Sequence, residues 1–505
     1  MAFKKKKNKI CLGVATTMLF TTVFIIILSA ILSKLGLEAE KNVLSNGSLM
    51  VSFTSIKNFL SVEGIKYLFS NVILNFRMIE PLAFTIVSII AFGILEASGL
   101  MQMCFSPLKK VTNKTLTMIV LLISFISTFF GEYSFAVIVP FIGALYSSLG
   151  KNAALGILTS FLGISLGYGS GLIFNYDQVL LGTLTQSAAT SSVDKNYVFN
   201  NFSTSIIMIA SLIIFVPIVA ALIESYIAPY FGKNTNLNTE KNMSKKAFFY
   251  STLTFVVLLL FSIYLIVPGF PGSGILLDLE QNTYFEKLFS TNSPFREGIC
   301  LILLALTIIP SYIYGKISKN LETSTGVSDS LALGLNDCGF LLLIVFLGSI
   351  MISVLEWTGM GDFILCKVVE ILSKFQLSGI LLLVIFFISM IIVTIFVPST
   401  LTKWSLISPV IVPLFMRANI TPDFTQFIFQ VADGVGKSIS IFFPYFLIMI
   451  GLMQKYNYDD AKITVGGTIK RILPVVAITA ALWILFLIIW YLAGFPVGLN
   501  EYTTI

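Results

Sequence analysis

The chain has 505 residues, 56% of them hydrophobic and 11% charged, with a mean hydropathy of +0.93. A soluble domain carries about 25% charged residues, so this composition describes a polytopic membrane protein. The net charge of +7 then reports where loop lysines sit about the bilayer and points to no nucleic-acid partner. With no histidine, imidazole-based metal binding, proton relay and Ser-His-Asp chemistry are excluded, and five scattered cysteines without CxxC spacing read as small hydrophobes.

In chain order, MAFKKKKNKI leads into an apolar run at 11–34. That run is too long for a signal-peptide core, so it reads as a retained first span. Further apolar stretches predict spans at 80–100, 152–176, 203–226, 247–268, 298–315, 330–355, 423–453 and 471–494, nine in all. Two more, 115–148 and 378–418, are interrupted by GEYS (131–134) and PSTLTKW (398–404). They read as re-entrant helical hairpins. With the N-terminal lysines cytoplasmic, the lysine-bearing loops at 106–114, 232–246, 315–320 and 454–471 fall inside, and 35–79 and 269–297 fall outside. This alternation needs both hairpins to be re-entrant, and it puts the C-terminus outside a cytoplasmic membrane. The amphipathic stretch 360–376 is expected at the outer interface.

A shift of 269 residues superposes Ser134 on Lys403, Phe135 on Trp404, Pro140 on Pro409, Ser165 on Gly434 and Gly167 on Gly436. In both places the order is a hairpin, a short loop and a helix broken by glycine. An odd number of spans separates the two hairpins, so they enter from opposite sides. The expected fold is one all-α transmembrane domain over 1–505, with nine spans, two oppositely oriented hairpins and inverted-repeat halves at 80–226 and 330–494.

The polar stretch from Val397 to Tyr445 carries the chemistry. Asp433 and Lys437 are four residues apart on one helical face. Near mid-membrane they read as a coupling pair, or as a static ion pair that neutralises the helix. Lys403-Trp404 at the second hairpin tip offers an ammonium to a carboxylate and an indole to an aromatic ring, unless the two snorkel at the interface. Ser399, Thr400 and Thr402 can donate to a carboxylate or cap the second arm. Asn175-Tyr176-Asp177 follows the glycine-rich Gly167–Gly171 and sits beside a cation or at a plain helix end. Glu132 in the first hairpin is a candidate protonatable group, Asn336-Asp337 is placed inside the seventh span, and Glu96 reads as an exposed helix end.

At these residues the chain resembles the aminobenzoyl-glutamate transporter family. The family's G-S-x-S-x-K-W and P-V-x-V-P-x-F correspond to Pro398–Trp404 and Pro409–Phe415. Its next helix corresponds to Thr421-Pro422, Thr425-Gln426, Gln430, Asp433, Lys437 and Pro444-Tyr445-Phe446. Glu96–Leu100, Pro140 and Asp177 through Ala189 match in the first half. The resemblance implies a dimeric nine-span carrier of p-aminobenzoate or p-aminobenzoyl-glutamate type compounds, driven by sodium or protons. It places Pro422, Gln430 and Asp177 at the substrate. Three departures stand out: Gln430 replaces a family arginine, Thr394 replaces an asparagine at the cation, and Lys437 replaces a neutral polar residue. An ammonium there would fill the sodium volume and favour proton coupling. The alternative substrates are aliphatic di- or tricarboxylates or short-chain fatty acids. An enzyme lacks its catalytic groups here, hairpins capping opposite faces argue against a channel, and no GxxxxGK[ST] motif is present. The expected partners are a small carboxylate, the lipid bilayer and a second copy of the chain, with no cofactor beyond the coupling ion and no metal.

Overall fold

Long apolar helices dominate the computed structural model, which describes residues 13–45, 48–232, 241–290, 292–374, 379–457 and 462–505. The N-terminal lysines, Cys11, and 375–378, which take in the end of the amphipathic stretch and the first residue of the second interrupted stretch, lie outside these residues. So do parts of the 232–246 and 454–471 loops.

The first third comprises α1 (Val14–Ser33), strands β1 (Glu38–Ser45) and β2 (Ser48–Ser55), α2 (Val62–Arg77), α3 (Glu80–Ala97), α4 (Leu100–Phe105), α5 (Asn113–Ser127), α6 (Tyr133–Ser148) and α7 (Ala153–Leu166). The middle adds α8 (Tyr176–Ser192), α9 (Ser205–Tyr226), α10 (Lys245–Ile266), α11 (Tyr284–Phe289), α12 (Pro294–Ile317), α13 (Ser324–Leu333) and α14 (Gly339–Thr358). The last third holds α15 (Met360–Lys374), α16 (Gly379–Phe396), α17 (Thr400–Arg417), α18 (Pro422–Lys437), α19 (Pro444–Lys455) and α20 (Val465–Ala493). Among the described residues, nine helical segments are long and apolar enough to cross a membrane.

Those nine segments are not the nine expected from sequence. Seven coincide in position. The stretch 152–176 holds only the 14-residue α7, and 423–453 is divided into α18 and α19. The first arms of both interrupted stretches, Asn113–Phe130 and Gly379–Phe396, are long enough to be counted in their place. The all-α expectation also needs correction. Strands β1 and β2 form an antiparallel hairpin from Glu38↔Ser55 to Ser45↔Ser48, and Lys41 ties it to Asp362 of α15 at 3.1 Å. Asn46-Gly47 between the strands is a strong hairpin signal. The signal is short beside the long apolar runs that flank 35–79.

The order of elements in α5–α9 recurs in α16–α20. In each set a long apolar helix is followed across a short break by one with an internal proline, Pro140 in α6 and Pro409 in α17. Next come a deeply buried helix, a second break, and two more helices. In both sets the first helix packs on the third, α5 on α7 and α16 on α18.

Every residue of α18 is buried, which places this helix at the centre of the molecule. Pro422 starts it at a position where a missing N–H costs nothing, and Asp423 complements the dipole in the first turn. Its glycines do not break the helix, contrary to the sequence expectation, since the break comes at 438–443. They allow close approach instead. A Cβ on Gly434 would lie 2.2 Å from Tyr168 Cβ and 2.4 Å from the Ser165 carbonyl oxygen, and one on Gly436 would lie 2.5 Å from Thr394 Cβ. Ser165 and Gly434, equivalent under the 269-residue shift, therefore touch each other.

This packing predicts that Gly434→Ala lowers stability by about 1–3 kcal/mol through overpacking against backbone that cannot yield. Gly298→Ala, where a Cβ meets nothing within 4 Å, should be neutral or slightly stabilising. Thermal unfolding in detergent compares them, and equal midpoints for the two variants would show that the α7–α18 crossing is not tight.

Candidate functional site

Four interruptions of helix converge on one point. Between α5 and α6 the chain makes a 3-10 turn at Thr128–Phe130 and then reverses at Gly131, whose φ of +57° suits glycine. A Cβ there would sit 2.7 Å from Asp177 Oδ2. Between α16 and α17, Pro398 ends the first helix, and Ser399 caps the next by accepting from the Thr402 amide. The α7–α8 break includes Gly169 and ends at Asn175, which caps α8 by accepting from the Gln178 amide at 2.7 Å. The fourth is the α18–α19 break.

Asp433 sits where they meet, fully buried. Its Oδ1 accepts from the Lys403 ammonium and, at 3.0 Å, from the Thr394 hydroxyl. Its Oδ2 accepts from the Thr400 hydroxyl at 2.5 Å and lies 3.0 Å from Lys437 Nζ. Lys403 also donates to Thr394 at 2.6 Å, and Lys437 donates to Thr400. Lys437 then reaches across to Glu132 of the first interrupted stretch, with Nζ 2.6 Å from Oε1. Its ammonium lies 4.4 Å from the centroid of the Tyr168 ring and 5.4 Å from that of Phe443. Two ammonium groups thus meet two carboxylates. Three of these side chains have no exposure, and only Glu132, 34% exposed, touches open space.

The other candidates are placed as follows. Trp404 is fully buried one turn into α17, stacked on Phe429 at 4.6 Å with its indole N–H donating to Thr185 at 2.9 Å. The indole face expected to meet a ligand is covered in this conformation, and Lys403 is committed to Asp433. Gln430 is buried and donates to Asn175 Oδ1 at 3.4 Å. Asp177 is buried and accepts from the Tyr168 hydroxyl. Pro422 is buried at the far end of α18 from Asp433, and Ser399 and Thr402 are exposed. Asn336-Asp337 lies in the break between α13 and α14, not within a span, and the Asn336 carbonyl accepts from Lys455. Glu96 is partly buried and lines a cavity of about 190 Å³ together with Asp337 and Lys455.

A cavity of about 360 Å³ opens beside the charge cluster. Both interrupted stretches reach it, through Glu132 and Tyr133 on one side and Pro398 to Leu401 on the other. Tyr176, Asp177 and Phe442 to Tyr445 continue the wall, and Glu80, Arg296 and Glu356 complete it. An adjoining cavity of about 310 Å³ takes in Thr402. Tyr133 and Tyr168 lie within segments 131–135 and 165–177 that the sequence marks as cavity lining, without a role of their own; Arg296 lies outside every segment so marked. The apolar run that marks the sixth span begins only at 298, whereas α12 begins at Pro294 and so carries Arg296 in its first turn. Among the described residues, no group of three or more carboxylates or thiols comes together to hold a metal.

Because Asp433 holds two ammonium groups out of water, Asp433→Asn should destabilise the protein by about 3–5 kcal/mol, leaving positive charge buried without its partner. Removing Lys403 as well (Asp433→Asn with Lys403→Met) should recover part of that loss in a double-mutant cycle. Additive losses in unfolding experiments would show that the two side chains are not coupled.

A model of the AbgT putative transporter family matches residues 9–505. The chain is 26% identical over 495 residues to the p-aminobenzoyl-glutamate transport protein of Escherichia coli K12, covering 96% of this chain and 93% of that protein. Among solved structures it is similar to the YdaH transporter of Alcanivorax borkumensis, with 21% identity, a TM-score of 0.48 and coverage of 96% of this chain and 99% of that one. It is also similar to MtrF of Neisseria gonorrhoeae, described with a class of antimetabolite efflux pumps, with 24% identity, a TM-score of 0.48 and coverage of 98% of both chains. The match over nearly the whole length places this chain in the AbgT transporter family.

Proposed function

We propose that this family member is a secondary carrier of small aromatic carboxylates of the p-aminobenzoate type, working by alternating access and coupled to protons rather than sodium. The carrier class follows from the family, and the substrate type is carried over from the Escherichia coli relative. The coupling rests on one observation: the Lys437 ammonium lies between Asp433 and Glu132 and occupies the space beside the carboxylate that a metal cation would need. A second cation there would meet two positive charges in a medium of low dielectric constant.

In this reading 115–148 and 378–418 are re-entrant hairpins of an inverted repeat. The recurring element order and the contact between the equivalent Ser165 and Gly434 support it. The N-terminus is cytoplasmic, so the cavity at the hairpin tips opens outward. Glu132 is the one member of the cluster that touches the cavity, and it is the entry point for a proton. Protonating it removes a partner from Lys437 and leaves the buried cluster one positive charge in excess. A carboxylate arriving in the cavity offsets that charge. Proton and carboxylate therefore enter together, and the loosened Glu132–Lys437 contact frees the first hairpin from α18. Coupling of this kind requires the two states to differ in affinity for the proton, which the presence or absence of that contact supplies.

Proteoliposomes with imposed gradients test this proposal. Uptake of p-aminobenzoate should follow an inwardly acidic-to-alkaline pH gradient and be unchanged when sodium is replaced by choline. Lys437→Asn, alone or with Thr394→Asn, should introduce a sodium dependence. A saturable sodium requirement in the unmutated protein would overturn the proton-coupled reading.

A further inference from the structure

We infer that Arg296 is the carboxylate-binding residue of this carrier, and that the cavity it faces selects compounds with one carboxylate and a hydrogen-bond-donating amine over dicarboxylates. The inference rests on the carrier reading above and names the substrate class of the same cavity. Gln430 leaves the centre of α18 without a guanidinium, and it is engaged with Asn175. Both lysines of the cluster are buried and held by Asp433, so neither is free to take an incoming anion. Arg296, in the first turn of α12, lines the cavity and the small aromatic pocket beneath it formed with Tyr133, Tyr176 and Phe295. Among the described residues no carboxylate pairs with it within 4.0 Å. Its Nε is shielded from solvent and has no hydrogen-bond partner, and a buried donor of that kind calls for an acceptor. A planar carboxylate matches the guanidinium fork.

The rest of the wall limits what else the ligand can carry. Tyr133, Tyr176, Phe443 and Tyr445 give it faces and edges for an aromatic ring. Glu80 and Glu356 also line it, both exposed and without an ion-pair partner among the described residues. A carboxylate accepts an amine N–H, but it repels a second carboxylate on the same ligand. The cavity therefore suits an aromatic amino-carboxylate such as p-aminobenzoate and disfavours terephthalate or a glutamate conjugate.

Equilibrium binding to the purified full-length protein in detergent tests this, with benzoate, p-aminobenzoate, terephthalate, p-aminobenzoyl-glutamate and butyrate as probes. Unmutated protein should prefer p-aminobenzoate to benzoate and bind both dicarboxylates more weakly. Arg296→Gln should weaken benzoate and p-aminobenzoate alike, by about tenfold or more. Arg296→Lys should recover part of that loss, which separates a lost charge from a lost fold. Glu356→Gln combined with Glu80→Gln should lower the preference for p-aminobenzoate over benzoate and improve terephthalate binding. If aromatic acids bind and Arg296→Gln binds them equally well, the assignment of Arg296 falls while the carrier reading stands. If only butyrate binds and Arg296→Gln abolishes it, Arg296 stands and the aromatic substrate class falls. If none of the acids binds, the assignment is overturned.

Discussion

A carboxylate with no contact to water must be neutralised where it lies, and much of this structure follows from meeting that requirement at Asp433. Two lysines from different parts of the chain converge on it, Lys403 from α17 and Lys437 from its own helix. The second lysine brings an excess positive charge, which Glu132 offsets from a third segment. The hydroxyls of Thr394 and Thr400 fill the remaining hydrogen-bonding positions on the carboxylate. For these groups to meet, the helices must approach closely, and Gly434 and Gly436 leave room for Tyr168 and Thr394 to do so. Buried ion clusters contribute little net stability because desolvation offsets their attraction, and their best-attested use is to specify an arrangement or switch it. Here the arrangement ties both interrupted stretches to one central helix.

Parts of this were legible in the sequence because they are local. The spacing of Asp433 and Lys437 on one face, the stop imposed by Pro398 and the start at Pro422 need only neighbouring residues to be read. The partnership of Lys437 with Glu132 spans 305 positions, and no local pattern marks it. Trp404 shows the converse. Next to Lys403 at the expected hairpin tip it offers an indole face to a ring, and because helix α17 already begins at Thr400 that face turns inward onto Phe429 and its N–H onto Thr185. The glycines of α18 were read as breaks because glycine is a poor helix former in isolation. In a fully buried helix the gain from close packing outweighs that preference. The β1–β2 hairpin is marked locally by Asn46-Gly47, a short signal beside much longer apolar ones.

The site divides into two parts of different character. The charge cluster is dry, satisfied and central, and it reaches open space only through Glu132. The cavity beside it is aromatic and acidic, with Arg296 as its cation. In the proposed mechanism the first part governs what drives the carrier and the second governs what it carries. The breaks of both interrupted stretches line the cavity and also reach the cluster, so in the proposed mechanism a ligand in the cavity and a proton on Glu132 act on the same backbone. The departures from the family pattern at Thr394, Gln430 and Lys437 divide as well. Thr394 and Lys437 belong to the cluster, whereas Gln430 lies apart from it, donating to Asn175.

Equilibrium binding of radiolabelled sodium to the purified protein is the most direct measurement of whether the Lys437 ammonium holds the place of a metal cation. The unmutated chain is predicted to show no saturable sodium binding, and Lys437→Asn, alone or with Thr394→Asn, is predicted to gain a site that Asp433→Asn removes. One saturable, Asp433-dependent sodium site per unmutated chain would contradict it.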